Sequence, residues 1–371
     1  MNTLNSFLSS VNINLKGQNL KSKIVVIESD DWGAIRMPNM DVFEKLNKSS
    51  IPVSNSVYCK YDSLESNNDI SFLLEVLNSV KNNHGTNPKL TANFVVSNPD
   101  FKKMQDFELS QYFFEPISDT YKRLIGHEKV LSIVNQGIED KLILPQFHGR
   151  DHVNVPLWLE LLKTSKDFRL AFELGLWGLS RDVFPKMKKS IQATYDSKDI
   201  DYCKTSIKEG LTLFNSVFGF KSISFIANNY IWPDEIERIL FEGGVKHIQS
   251  MKYQLYPLNE EKTRRKKRIY LGYKNDFRMT YGVRNCSFEP LEHNDNNLKT
   301  LLQIKNAFML KKPAIISTHR INFSGGMSIK TRDKNLIEIK TLLNNIVLKW
   351  PDVKFMTSVE LSNYLNENRN T

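Results

Sequence analysis

The run Ile24-Val25-Val26-Ile27, followed at once by Glu28-Ser29-Asp30-Asp31, decides how this chain is read. Four β-branched residues in succession leave no polar helical face, and so short a run fits a strand buried on both sides. The same signature returns at Leu90–Val96, Leu142–Phe147, Ser222–Ala227, Val245–Ile248, Tyr281–Cys286, Ala314–Ser317 and Val353–Met356. Between them, apolar residues recur at helical spacing over Ile70–Val80, Tyr121–Ile138, Lys204–Phe218, Pro233–Glu242, Leu298–Leu310 and Leu336–Leu348. Strand–helix alternation repeated seven or eight times predicts an α/β fold with a mostly parallel sheet. For 371 residues a (β/α) barrel is the economical closure. An open doubly wound sheet is the alternative. No strand is followed by G-x-G-x-x-G or G-x-x-x-x-G-K-[ST], which removes the usual nucleotide-binding reason for one.

Composition narrows the class. Hydrophobic residues at 40% and charged residues at 25% supply a globular core and surface, and 16 Gly with 13 Pro exclude a collagenous or low-complexity chain. Cys59, Cys203 and Cys286 are far apart and odd in number, so neither a disulfide framework nor a cysteine zinc module is expected. No run approaches the roughly 18 apolar residues of a membrane span. The opening MNTLNSFLSSVNINLKGQNLKSK lacks a basic start with an apolar run, so no secretory signal is read and a cytoplasmic location is expected. The net charge of +10, from 51 Lys+Arg against 41 Asp+Glu, is not concentrated, and the one true basic run is Lys262–Arg268. That block lies in the least periodic stretch, about 251–276, read as an insertion decorating a single catalytic barrel domain spanning 1–371. No aromatic residue interleaves with it, so nucleic acid is not an expected partner.

The side chains able to do chemistry fall where strands end. Asp30 and Asp31 close the first run, His148 the third, Asn228 and Asn229 the fourth, and His319 the run Ala314–Ser317. In a barrel those ends form one rim, where active sites are built. His148-Gly149-Arg150-Asp151-His152 has H-x-x-x-H spacing, which in a helical turn would bring both imidazoles to one face to share a metal. Adjacent carboxylates after a buried strand are costly unless neutralised. One Asp could complete a two-histidine, one-carboxylate set and the other act as a base. The same set also serves non-haem iron, and spacing does not choose. His319, across the rim, is a candidate general acid.

At these residues the chain resembles the polysaccharide deacetylase family, carbohydrate esterase family four, whose fold is a distorted (β/α) barrel. Glu28-Ser29-Asp30-Asp31-Trp32-Gly33 resembles that family's Thr-Phe-Asp-Asp strand end. His148–His152 resembles its His-[Ser/Thr]-x-x-His motif, and Ile315–His319 its late Leu-x-His strand. The likeness runs loosely from about Ile24 to Leu361. It implies a hydrolase that removes an acetyl group from an N- or O-acetylated sugar with a divalent ion, commonly zinc. Asp30 would be the general base, His319 the general acid, and Asp31, His148 and His152 the metal ligands. Two departures stand out: Gly149 replaces the hydroxyl residue, and the third motif's arginine, which pairs with the base, has no counterpart in Ile226-Ala227-Asn228-Asn229-Tyr230-Ile231-Trp232-Pro233. Asn228 or Asn229 is therefore the expected hydrogen-bond partner of Asp30, and Trp32 and Trp232 are candidate sugar-stacking residues at the mouth.

Two other functions stay open. A related barrel glycoside hydrolase would need two carboxylates about 5–9.5 Å apart and no metal, with Glu289 as the second. A catalytically lapsed barrel would bind a polyanion through the basic block, with strongly salt-dependent affinity.

Overall fold

The computed structural model describes residues 10–49, 51–187, 189–257, 265–292 and 296–368; His293 and the first part of the basic block, 262–264, lie outside them. Every expected strand is present in a single nine-stranded sheet: β1 (Ile24–Trp32), β2 (Leu90–Val95), β3 (Ile143–Gly149), β4 (Ser224–Phe225), β5 (His247–Ser250), β6 (Thr280–Val283), β7 (Cys286–Ser287), β8 (Ala314–His319) and β9 (Lys354–Met356). All pairings in it are parallel. The order is β6-β5-β4-β3-β2-β1-β8-β7, and β9 pairs with Ile24–Val26 of β1.

The two ends of that order are neighbours in the chain. Only Arg284 and Asn285 separate β6 from β7, a span of about 11 Å at most for three residue steps. The Arg284 N–H donates to the Ser250 carbonyl at 2.9 Å, and the Asn285 N–H to the Ile315 carbonyl at 3.2 Å. One segment, 280–287, thus pairs first with β5 and then with β8 and closes the sheet on itself. The result is a distorted (β/α) barrel of seven staves, with β9 as an extra strand beside the start of β1.

Helices cover the barrel where the apolar periodicity places them, including Asn67–Asn78, Ile200–Phe218, Asn296–Met309 and Ile329–Lys349. The continuous helix expected over Tyr121–Ile138 is two, Ile117–Arg123 and Val130–Glu139, broken near Gly126, whose φ of +84° a helix cannot contain. The last helix, Ser358–Glu367, lies against β1, β5 and β6 and stops the end of the barrel where the strands begin.

Long excursions after β1, β2 and β3 build a second apolar cluster beyond the rim. Met37, Leu46, Cys59, Met104, Trp158, Trp177 and Ile191 are among its buried members. Arg320, the residue after His319, ties the first excursion down through Asp62 at 2.6 Å, Glu65 at 2.9 Å and the Ala34 carbonyl at 2.6 Å. The described part of 251–276 contains an antiparallel ribbon, Tyr253–Tyr256 with Arg265–Arg268. Among the described residues no helix is long and apolar enough to cross a membrane.

Candidate active site

Two β-bulges on neighbouring strands shape the rim. Along β1 and β2, Ser29 pairs with Ala92 and Trp32 with Phe94, so Asp30 and Asp31 together face the single residue Asn93. A regular strand would send consecutive side chains to opposite faces. Here Asp31 takes φ +73°, and the local turn brings both carboxylates to one cavity. On β2 and β3, Phe94 pairs with Phe147 and Val95 with Gly149, leaving His148 as the extra residue.

The H-x-x-x-H segment is a strand end followed by a bend, not the helical turn the spacing suggests. Gly149 sits at φ +122°, which side chains rarely adopt, and a Cβ there would meet the Tyr195 hydroxyl at 3.0 Å; this is why no hydroxyl residue stands at that position. Arg150 and Asp151 pair at 2.7 Å, and Asp151 accepts from Ser97 Oγ at 2.8 Å. This buried scaffold holds the bend and sets the two imidazole centroids 5.3 Å apart.

Asp31, His148 and His152 are all buried, and one ligand atom from each lies within 4.8 Å of the others. His148 Nδ1–H donates to the Ile226 carbonyl at 3.0 Å, which turns the lone pair of Nε2 toward Asp31 Oδ1, 3.3 Å away. His152 Nε2 lies 2.8 Å from the same oxygen, and its ring stacks on Trp177. Burial lowers the His152 pKa to about 4 against the pull of Asp31, so the ring is neutral at ordinary pH. Burial alone would raise Asp31, but His152 and Arg36 outweigh it and keep the carboxyl ionised. Arg36 occupies Oδ2 at 3.3 Å, leaving Oδ1 for an ion.

Two imidazoles and one carboxylate facing a cavity are the donor set of a catalytic zinc-type site. Among the described residues, the buried carboxyl groups of Glu28, Asp30, Asp31, Asp62, Glu65 and Glu289 gather around Arg36, Arg284, Arg320 and the His319 imidazolium. Burial lifts Glu28 and Asp62 above the usual carboxyl range.

Asp30 has a different neighbourhood. Arg284 Nη1 donates to Oδ2 at 2.6 Å and Nη2 to Oδ1 at 2.7 Å, a bidentate pair, and Asn93 adds a bond at 2.7 Å. Burial would raise this carboxyl, yet Arg284 prevails and holds it at about 2. The arginine that the resemblance requires is therefore present, but on the barrel-closing segment. The expectation of Asn228 or Asn229 beside Asp30 is corrected: Asn228 Nδ2 contacts His148 Nε2 at 3.2 Å, and Asn229, which lines the cavity, donates to Ser190 at 3.3 Å.

His319 pairs with Asp30 in the β1–β8 ladder, and its Nε2 stands 4.0 Å from Asp30 Oδ2. Its Nδ1 donates to Glu289 Oε1 at 2.7 Å, and Asn322 donates to Oε2 at 2.7 Å. Burial would lower the imidazole pKa, but Glu289 outweighs it and raises it to about 10. Both Glu289 oxygens thus hold the histidine and its neighbour, which is not the arrangement of a glycosidase carboxylate pair.

The cavity between these groups measures about 90 Å³ and is also lined by Arg36, Tyr58, Gln192, Ala227 and Tyr230. Trp32 and Trp232 are not among its walls. Both are fully buried, with indole N–H groups bonded to Ser29 Oγ at 3.0 Å and Glu237 Oε1 at 3.2 Å, so the sugar-stacking expectation is corrected for each. Arg284 went unnoticed in the sequence because the expected strand Tyr281–Cys286 ran straight over it.

No protein-family model matches the chain, and no curated protein matches it. Among solved structures, a protein from Parabacteroides distasonis described as a glycoside hydrolase/deacetylase aligns over 95% of this chain and 73% of its own, with TM-score 0.50 and 8% identity. One from Mycobacterium smegmatis described as a polysaccharide deacetylase aligns over 95% and 93%, with TM-score 0.42 and 10% identity. The 4-α-glucanotransferase of Thermococcus litoralis aligns over 93% of this chain, which spans 40% of that enzyme, with TM-score 0.42 and 10% identity. The first of these likenesses supports the distorted (β/α) barrel.

Proposed function

We propose that the chain is a divalent-metal-dependent hydrolase that removes an acetyl group from an acetylated sugar or glycan precursor. The observation that carries this reading is the convergence of Asp31, His148 and His152 with Asp30 and His319 on one cavity. Asp31, His148 and His152 would hold the ion, zinc being the natural choice for this donor set. Such an ion, when bound, supplies a Lewis acid and an acidified water.

The chain's own residues supply the rest. Asp30 is ionised and oriented by Arg284, and accepts the proton of the attacking water. His319 enters the reaction protonated, because Glu289 stabilises the imidazolium, and gives its Nε2 proton to the departing amine or alkoxide. The 4.0 Å between His319 Nε2 and Asp30 Oδ2 sets the two proton-transfer groups side by side at one reacting centre. Barrel strands and buried ion pairs hold both, so little reorganisation is needed.

The test is acetate release from N- and O-acetylated sugars, sugar nucleotides and short glycans by the zinc-loaded chain. Release that stops on chelation and returns with zinc is the expected result. Release that survives chelation, or none from any acetylated substrate, would overturn the reading.

A further inference from the structure

Asp30 receives its arginine from an unexpected place, and something must keep that arginine there. Arg284 lies between β6 and β7, in the two-residue step that closes the barrel, and its side chain crosses the interior toward β1. A guanidinium on so short a link needs a second anchor to present one fixed edge to a carboxylate. Glu28 supplies it: Arg284 Nε donates to Glu28 Oε2 at 2.6 Å, and both side chains are 1% exposed. The other oxygen of Glu28 accepts from Ser358 Oγ at 2.6 Å, at the start of the helix that stops the lower end of the barrel. Glu28 and Asp30 are two residues apart on β1, so they project to the same side and grip the guanidinium from successive positions. Gln249 at 3.1 Å accepts the remaining Nη2 N–H, and Tyr230 at 2.9 Å and Ser317 at 3.2 Å share the remaining Nη1 N–H.

We infer that Glu28 is a positioning residue, acting through Arg284 to fix the orientation of Asp30. Glu28 lines neither the cavity nor the ligand set, and its hydrogen-bonded route to Asp30 runs through the guanidinium. The catalytic part of this inference rests on the role proposed for Asp30; the structural part does not.

The experiment therefore has an arm that needs no turnover. Arg284→Ala should leave a guanidinium-shaped gap between Glu28 and Asp30. Thermal melts of the full chain in millimolar guanidinium, against sodium at equal ionic strength, should show a saturable rise in Tm for Arg284→Ala. The double variant Glu28→Gln/Arg284→Ala should bind guanidinium about tenfold more weakly, the loss of one charge-assisted hydrogen bond. Equal binding by the single and double variants would overturn the inference. If Arg284→Ala does not fold, the crystal structure of Glu28→Gln decides instead: Arg284 turned away from Asp30 is expected, and an unmoved bidentate pair would overturn the inference. In the second arm, acetate release by zinc-loaded Arg284→Ala should be restored by guanidinium, and the double variant should need about tenfold more of it. A native chain that releases no acetate at all, while the melts behave as expected, would count against the proposed reaction and leave the role of Glu28 toward Arg284 intact.

Discussion

The two walls of the cavity are built from adjacent residues yet follow opposite electrostatic rules. On one wall, Asp30 and His319 each have a counter-charge in place, Arg284 and Glu289, at 2.6–2.7 Å. On the other, Asp31 keeps Arg36 on Oδ2 at 3.3 Å but turns Oδ1 to two imidazole nitrogens, and His152 is held neutral by burial. The first wall is complete as protein; the second is built of donors aimed at one point. A backbone that merely buried polar groups would have no reason to keep the two sets apart. The separation begins at the Asp30–Asp31 bulge, which sends neighbouring carboxylates into different company.

The sharpest way to break this contrast is to remove a donor from the second wall. His152→Ala is expected to lose stoichiometric zinc and, with it, all zinc-dependent turnover. Zinc at about a thousand times its dissociation constant should stabilise the native chain by about 4 kcal/mol, and this increment should vanish in the variant. Metal analysis and melts with and without zinc check both. Asp30→Asn cuts the other wall: turnover should fall by about 10²–10⁴-fold, while bound zinc stays at the native level. Loss of zinc from that variant would mean the two walls are not separate.

Glu289→Gln probes the same wall more gently. The His319 pKa is raised from 6.5 to about 10, so the stability this gives the native fold is fully present below about 6.5. It is lost as pH rises toward about 10. Metal-free protein should therefore melt at lower temperature as pH climbs through that window, and Glu289→Gln should flatten the dependence. In the zinc-loaded enzyme the alkaline limb of the pH–rate profile should move to lower pH, because a histidine without its carboxylate gives up its proton sooner. An unmoved limb would remove His319 from the role of acid.

Strand ends were the part of this site that could be read from sequence. Asp30, Asp31, His148 and His319 each follow an apolar run, and the barrel brings such ends together whatever the intervening helices do. Arg284 was hidden because it follows its strand in the middle of the closing segment, where pairing moves from β5 to β8 without any turn residue to mark the change. Tyr58 and Gln192 come from the excursions that form the second apolar cluster, and nothing local ties those stretches to the rim. The bulges were equally silent. Asp31 takes a left-handed backbone that aspartate tolerates better than most residues, but nothing in its neighbouring sequence marks the bulge.

Trp232 marks the outer boundary of the comparison and gives the smallest expected effect. Its position after the Asn228–Tyr230 turn suggests a sugar platform, yet its ring is fully buried and its N–H is spent on Glu237. Glu237 also accepts from Tyr281 at 2.6 Å and Asn275 at 2.6 Å, so it stays well satisfied if one donor is removed. Trp232→Phe should then cost about 1 kcal/mol for the lost hydrogen bond and some packing besides. KM and kcat for whichever acetylated substrate is turned over should stay within about twofold of native, a rate difference below about 0.5 kcal/mol. A rise in KM without loss of stability would put the indole back among the residues that touch substrate. That result would extend the cavity past Tyr230, through a ring that now fills the core beneath it.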